Sequence, residues 1–334
     1  MPPFARKLID WYAHAHRPLP WRDTADPWAI LVSEIMLQQT RASVVIPYWQ
    51  RFLERYPTPP ALAVAPEQEL LTMWSGLGYY SRARNLQKAA QAITDAGGFQ
   101  PDYDFLRALP GVGDYTAAAV ASIAFGLQHA VLDGNVMRVA ARLTNDAGDI
   151  GAGVTKKRLQ AAVDQLIPAP QPGLFNQAMM ELGATLCVPR QPQCLLCPVA
   201  GFCEGRKAGR AGELPVKLRR AVPIREERTL LIVERERELL LWQRPVDADR
   251  LAGFWELPEA SQLPKAVLGE NLGTVRHSIV NHSYTITVYL ARLPRPLPGK
   301  ETQLKWIKRN QLAELPVSTT SRKAIQLWDK GRES

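Results

Sequence analysis

The chain has 334 residues, enough for two domains, and its 46% hydrophobic and 22% charged residues are the balance of a globular protein. Lys and Arg outnumber Asp and Glu by 41 to 32, and the resulting charge of +9 suits a partner with a phosphate backbone. No apolar run nears the roughly 20 residues a bilayer demands. The N-terminal stretch interleaves Arg6, Lys7 and Asp10 with apolar residues, so neither a membrane span nor a signal peptide is expected, and the expected compartment is the cytoplasm.

Apolar residues three and four apart predict helices over 27–39, 47–55, 66–74, 81–96, 115–125, 136–143 and 175–186. Turns built on Gly76-Leu77-Gly78, Gly97-Gly98, Pro110-Gly111-Val112-Gly113 and Asp133-Gly134-Asn135 separate them. No strand pattern is evident there, so residues 1–205 read as an all-α domain. Residues 206–228, with Gly209 and Gly212 among Arg206, Lys207, Arg210, Lys217, Arg219 and Arg220, read as a basic linker. The apolar period then shifts towards two, predicting strands over 229–233, 239–243 and 284–290 before a closing helix over 318–330. Residues 229–334 are therefore expected to form a smaller α+β domain.

All four cysteines fall in one stretch, Cys187-x6-Cys194-x2-Cys197-x5-Cys203, which a disulfide framework would not produce. Four thiolates so close in sequence can converge on one metal centre, either tetrahedral zinc or an iron–sulfur cube. Four protein ligands leave no open position for a substrate, so the centre at 187–203 is expected to be structural.

Between two helical patterns lies Leu109-Pro110-Gly111-Val112-Gly113-Asp114-Tyr115. Gly111 and Gly113 permit a sharp turn whose amides open the next helix, a place for an anion. Eighteen residues past Tyr115 comes Asp133, followed by Gly134, Asn135, Val136, Met137 and Arg138. Asp133 reads as a helix N-cap, which favours its ionised form.

Taken together in this order, the Pro-Gly-Val-Gly hairpin, the later Asp133 and the cysteine cluster closely resemble the helix–hairpin–helix DNA glycosylase superfamily of endonuclease III. The resemblance implies one [4Fe–4S] cluster on Cys187, Cys194, Cys197 and Cys203, and a hairpin whose Gly111 and Gly113 amides hold a DNA phosphate. Members that also nick DNA carry a lysine where this chain has Tyr115, and a phenol cannot form their imine, so a monofunctional enzyme is expected.

Further motifs narrow the likeness. Arg17-Pro18-Leu19-Pro20-Trp21-Arg22, Ser33-Glu34-Ile35-Met36-Leu37-Gln38-Gln39-Thr40, Gly76-Leu77-Gly78-Tyr79-Tyr80-Ser81 and Asn176-Gln177-Ala178-Met179-Met180-Glu181 resemble MutY-type adenine DNA glycosylases. The resemblance implies removal of adenine mispaired with 8-oxoguanine or guanine in double-stranded DNA. In that scheme Glu34, among Ile30, Leu31, Ile35 and Leu37, has its pKa raised towards neutrality by burial, and serves as general acid on N7 and then as base. Asp133 stabilises the oxocarbenium-like sugar, by charge or a transient covalent bond, while Tyr115 and Asn135 orient these groups. Arg17, Leu19, Trp21, Arg22 and Gln177 line the pocket for the flipped adenine. Gln38, Gln39, Thr40 and Tyr79 contact the DNA around it. Met137 stands where some members have an adduct-forming lysine, which leaves the glycosylase chemistry untouched.

Leu240-Leu241-Trp242-Gln243-Arg244-Pro245 and Leu251-Ala252-Gly253-Phe254-Trp255-Glu256-Leu257-Pro258 resemble the MutT-like domain of the same family. No Glu-rich helix follows to hold Mg²⁺, so the domain is expected to read the opposite base and not to hydrolyse nucleotides. The family's Phe-Ser-His turn is not reproduced, and Asn281 or His282 stands in its place. A monomer is expected, with protein partners undetermined. Two other readings stand: a thymine or uracil mismatch glycosylase of the same superfamily, and a non-catalytic DNA-binding protein whose cluster senses redox state.

Overall fold

The computed structural model describes residues 1–218, 224–245, 247–248, 251–279, 282–294 and 303–333. Helices α1 (Pro3–Ala15), α2 (Pro27–Leu37), α3 (Ala42–Arg55) and α4 (Pro59–Ala63) open the chain, followed by α5 (Glu67–Met73) and α6 (Ser81–Asp95). Then come α7 (Tyr103–Ala108), α8 (Asp114–Phe125), α9 (Gly134–Leu143), α10 (Gly153–Asp164), α11 (Pro172–Thr185) and α12 (Glu204–Lys207). The strands are β1 (Ile224–Ile232), β2 (Glu234–Arg235), β3 (Glu238–Gln243), β4 (Trp255–Glu256), β5 (Val267–Ile279), β6 (His282–Arg292) and β7 (Leu304–Lys308), and α13 (Thr319–Glu333) closes the chain. None of the described helices is long and apolar enough to cross a membrane.

Two compact units result, Met1–Val64 with Arg84–Arg220, and Ala65–Ala83 with Ala221–Ser334. The first is all-α. Its core joins Leu8 and Tyr12 of α1, Val136 and Val139 of α9, and Phe175 and Met179 of α11. Burying apolar side chains from distant segments in this way is the main stabilising term of such a domain. Helix α2 lies inside the unit. Asp26 caps it by accepting from the amides of Trp28 and Ala29, and every residue from Trp28 to Met36 is buried. Helices α9 and α11 approach so closely that a Cβ on Gly183 would come within 2.7 Å of Asn135 Cβ, so only glycine fits there.

In the second unit, β1 runs parallel to β6, and β6 antiparallel to β5. Strand β3 pairs antiparallel with β2, β4 and β7. Alternation along the strands divides the apolar residues between two clusters. Leu230, Ile232, Leu239 and Leu241 meet Ala324, Ile325 and Trp328 of α13, whereas Leu231, Val233 and Leu240 pack with Leu263 and Ala291. Strand β5 escaped sequence reading because Gly269, Gly273 and its register shifts interrupt the two-residue pattern.

The boundaries expected from sequence need correction in two places. Residues 65–83, taken as part of a continuous domain over 1–205, pack in the second unit: the Tyr80 ring lies 4.0 Å from that of Phe254, and Thr72 Oγ1 donates to the Glu314 carbonyl. The start of the supposed linker, 206–228, is part of the first unit. Ala211 and Leu214 are buried there, Arg142 donates to the Leu214 carbonyl, and Ile150 N–H to that of Val216. The charged residues around these two drew the composition towards that of a linker. The far end of that stretch, from Ile224, already belongs to β1.

Candidate active site

A cavity of about 670 Å³ opens in the first unit, lined by parts of α2, α8, α9 and α11 and by the segment around Trp21. Glu34 reaches it from α2. A glutamate on a helix buried on all sides has little water to solvate its charge, and burial pushes its pKa up to about 7. Asp133 raises it further, while the Tyr115 phenol, donating to Glu34 Oε2 at 2.6 Å, opposes the shift. The same phenol lies 3.2 Å from Met180 Sδ. Burial, with Glu34 and Asp133 nearby, holds Tyr115 well above the ordinary phenol pKa, so it stays a donor.

Asp133 lines the same cavity as the N-cap of α9. Its Oδ1 accepts from the Val136 amide at 2.7 Å and its Oδ2 from Asn135 Nδ2 at 2.9 Å. The capping bonds were expected to favour the charged form. Burial outweighs them, and the pKa is raised from the usual aspartate value. Asn135 is held in turn by Arg138, whose Nη2 donates to Asn135 Oδ1 at 2.9 Å and to the Gly183 carbonyl at 2.6 Å, and whose Nε donates to the Cys187 carbonyl at 2.8 Å. A continuous chain of hydrogen bonds thus links Asp133 to the start of the cysteine loop.

Two arginines of the lining, Arg17 and Arg22, are anchored by Glu181 on α11. Its side chain is fully buried, with Arg17 Nη2 at 2.8 Å and Arg22 Nη2 at 2.7 Å from Oε2. Burial would raise its pKa, but the hydrogen bonds from Arg17 and Arg22 bring it down to about 2. Arg22 also donates to the Arg17 carbonyl. A buried carboxylate thereby fixes both arginines at the cavity rim. Asn176, beside Gln177, spends its amide on structure, accepting from Val131 N and donating to Ser122 Oγ and the His129 carbonyl.

The four cysteine side chains line a second, smaller cavity together with Val139, Arg142 and Leu182. Among the described residues, no three His, Cys, Asp or Glu side chains gather closely enough to hold a single metal ion. Arg142, 1% exposed, pins the loop by donating to the carbonyls of Cys187, Val188 and Pro189 and to Cys187 Sγ. Its guanidinium places positive charge beside sulfur, as a bound thiolate requires. The donor set and its surroundings fit an iron–sulfur group.

The family model that matches residues 32–165 is that of the HhH-GPD superfamily base excision DNA repair proteins. Along nearly the whole length, the chain is 32% identical over 405 aligned positions to an adenine DNA glycosylase of Mus musculus, covering 99% of this chain and 78% of that protein. The chain belongs to the adenine DNA glycosylase family. A member from Mycobacterium tuberculosis is 45% identical over 209 positions, covering 60% of this chain and 67% of its own. Among solved structures, a thermostable thymine-DNA glycosylase aligns with a TM-score of 0.57 at 29% identity, over 61% of this chain and 95% of that one. A non-covalent endonuclease III–DNA complex aligns at 0.51 and 28% identity, over 62% and 95%.

Of the residues singled out by likeness to the adenine glycosylases, Glu34, Tyr115, Asp133 and Asn135 line the same cavity as Arg17, Leu19, Trp21, Arg22 and Gln177, and Gln38, Gln39 and Thr40 line it too. Gly111 and Gly113 do not; they form the hairpin between α7 and α8. There Gly111 has φ +77°, and any Cβ would lie 2.6 Å from Asn85 Cβ. Tyr79 also stands outside the lining, in the segment that packs with the second unit, with the Arg82 guanidinium 5.5 Å from its ring centre. His282 begins β6 and pairs through Nδ1 with Glu226, while Asn281 lies outside the described residues. Glu181, Arg138 and Tyr12 were given no role by sequence reasoning. Glu181 follows Gln177 by one helical turn and Arg138 follows Asn135 by three residues, and this spacing was the available signal.

Proposed function

We propose that this chain is a monofunctional DNA glycosylase that hydrolyses the N-glycosidic bond of adenine mispaired with 8-oxoguanine or guanine, leaving an abasic site. The observation that carries the reading is the convergence of a protonatable Glu34 and Asp133 on one cavity, with Tyr115 and Asn135 bonded to them. Double-stranded DNA delivers the nucleotide by base flipping, because the bond is unreachable within the stack. Glu34, held neutral by burial, gives its proton to adenine N7, and the C1′–N9 bond breaks with its electron pair going to the base. The Asp133 carboxylate stabilises the cationic sugar. Glu34, now ionised, takes a proton from water as the oxygen attacks C1′. Tyr115 in place of lysine leaves no amine to form an imine, so strand cleavage is not part of the reaction.

Arg17, Leu19, Trp21, Arg22 and Gln177 contact the base, Gln38, Gln39, Thr40 and Tyr79 contact the surrounding DNA, and the amides at Gly111 and Gly113 hold a phosphate. Cys187, Cys194, Cys197 and Cys203 hold one [4Fe–4S] cluster, which ties residues 187–203 into a fixed loop and supplies no catalytic step. The second unit, a MutT-like domain, reads the base opposite adenine, with Asn281 or His282 as its contact. The protein acts as a monomer in the cytoplasm.

The test is excision, under excess enzyme, from duplexes carrying A, T or U opposite guanine and opposite 8-oxoguanine. Cleavage at adenine only, and only after alkali, is expected. Removal of thymine or uracil would favour the mismatch glycosylase reading, and uncut DNA throughout would remove the enzymatic one.

A further inference from the structure

Gln177 lines the cavity from α11, and its carbonyl is already engaged. Tyr12 on α1 donates its phenol proton to Gln177 Oε1 at 2.6 Å, in a buried contact between residues 165 positions apart. Among the described residues the Gln177 amide nitrogen has no protein partner. Tyr12 itself is 5% exposed and does not line the cavity.

The Tyr12 ring is held in place on several sides. His16 stacks on it with ring centres 4.8 Å apart, and the Arg22 guanidinium lies 5.4 Å from the ring centre. His16 Nδ1 also lies 2.8 Å from the Tyr12 carbonyl. Burial pushes the phenol up to about 12, so it remains a proton donor across the working range.

A glutamine amide that nothing holds can present either end, because its oxygen and nitrogen halves have almost the same shape and opposite hydrogen-bonding character. The end it shows matters for reading a purine. Its N–H₂ pairs with a ring nitrogen bearing a lone pair, as adenine has at N1 and N3. Its carbonyl pairs with an N–H edge, as guanine and hypoxanthine have at N1.

We propose that Tyr12 is a positioning residue for base recognition: by holding the Gln177 carbonyl, it makes the amide N–H₂ the group that α11 offers to the flipped base. The inference rests on the adenine glycosylase reading and deepens it. Tyr12 acts entirely through Gln177 and never touches the substrate. The lock selects for a purine with an unprotonated ring nitrogen, and selects against turning the amide to suit an N–H edge.

The test uses the full chain under single-turnover conditions, on duplexes bearing adenine, 1-deazaadenine or 3-deazaadenine opposite guanine. Both analogues keep N7, so the acid step is preserved while one acceptor at a time is replaced by C–H. The enzymes are the parent, Tyr12→Phe, Gln177→Met and the double variant. Tyr12→Phe keeps the ring, its stacking and its volume, and removes only the donor.

For the parent, one deaza analogue should be cleaved roughly ten-fold more slowly than adenine, about the worth of one hydrogen bond. Tyr12→Phe should slow adenine by a similar factor and reduce that analogue's penalty. The double variant should be no slower than Gln177→Met alone. An unchanged Tyr12→Phe, or losses that multiply in the double variant, would overturn the proposal, because Tyr12 would then act independently of Gln177. Should Tyr12→Phe fail to fold, Gln177→Met decides: it must abolish the analogue penalty, and a full penalty without the amide overturns the proposal. A parent inactive on adenine would overturn the functional reading itself. An active parent with uncoupled variants overturns only the positioning role.

Discussion

The Tyr115 phenol donates to Glu34 Oε2 at 2.6 Å, joining the first turn of α8 to the middle of α2 across 81 residues of chain. The contact puts a neutral donor, fixed by burial, against the carboxyl proposed as the acid of the reaction. It lowers the Glu34 pKa, but desolvation dominates and leaves it near 7. An acid poised there can both give and take a proton at neutral pH.

Replacing Glu34 with Gln removes the proton without changing the volume. Single-turnover excision should fall by at least two to four decades, the usual range for a general acid, while the Kd for mispaired DNA stays within a few-fold. A variant with near-parental rate would take Glu34 out of the mechanism. The same substitution tests the burial. Because the folded pKa lies above the unfolded value of 4.5, the folded state holds the proton more tightly, and stability declines as pH rises from about 4.5 to about 7. Melting curves at pH 5 and pH 8 should therefore shift in favour of Glu34→Gln at the higher pH.

The pH profile of the chemical step should be bell-shaped. Its alkaline limb follows Glu34, with the rate dropping as pH rises through about 7. Its acid limb follows Asp133 and is displaced upward from the ordinary aspartate range, because burial raises that group too. An alkaline limb that survives in Glu34→Gln would assign the titration to another group.

Glu181 has the opposite sign. Its folded pKa of about 2 lies below the unfolded 4.5, so its contribution is fully present above pH 4.5 and is lost as pH falls towards 2. The shift corresponds to about 3 kcal/mol. Glu181→Gln should lose stability at pH 7 and show a smaller further loss on acidification than the parent. It should also weaken adenine excision, since Arg17 and Arg22 lose their common anchor. Equal acid sensitivity in variant and parent would contradict the pairing.

Arg142 holds the beginning of the cysteine loop and the segment at Leu214 through carbonyl and thiol contacts. Arg142→Leu leaves the buried Leu214 carbonyl without its donor, at about 1–3 kcal/mol, and removes the donor of the part-buried Val188 and Pro189 carbonyls, while the Cys187 carbonyl keeps Arg138. Limited proteolysis should then cut within 187–214 well before the parent is cut. Purified parent protein should be brown, with about four iron atoms for its four cysteines, and Arg142→Leu should carry less iron. Zinc in the parent would overturn the cluster reading.

Phe254→Ala removes the ring that packs on Tyr80. The second unit should lose about 3–5 kcal/mol, as for other buried aromatic truncations, and residues 65–83 should exchange their amide hydrogens faster. Unchanged exchange in that segment would show that it does not depend on the C-terminal strands.

Much of the site was readable from local pattern. The Pro-Gly-Val-Gly hairpin, the Asp133 cap and the clustered cysteines are short-range signals, because each involves residues close in sequence. The helical period along 27–39 placed Glu34 among apolar neighbours, and burial followed. Other features depended on which segments meet. That α1 lies against α11, so that Tyr12 reaches Gln177, has no signature in either segment alone. Nor does the pairing of Glu181 with Arg17 and Arg22, or the joining of residues 65–83 to the C-terminal strands. The sign of the Asp133 shift was misjudged for the same reason. The sequence displays a cap's hydrogen bonds, but desolvation depends on every segment packed around the group, and those are known only once the chain has folded.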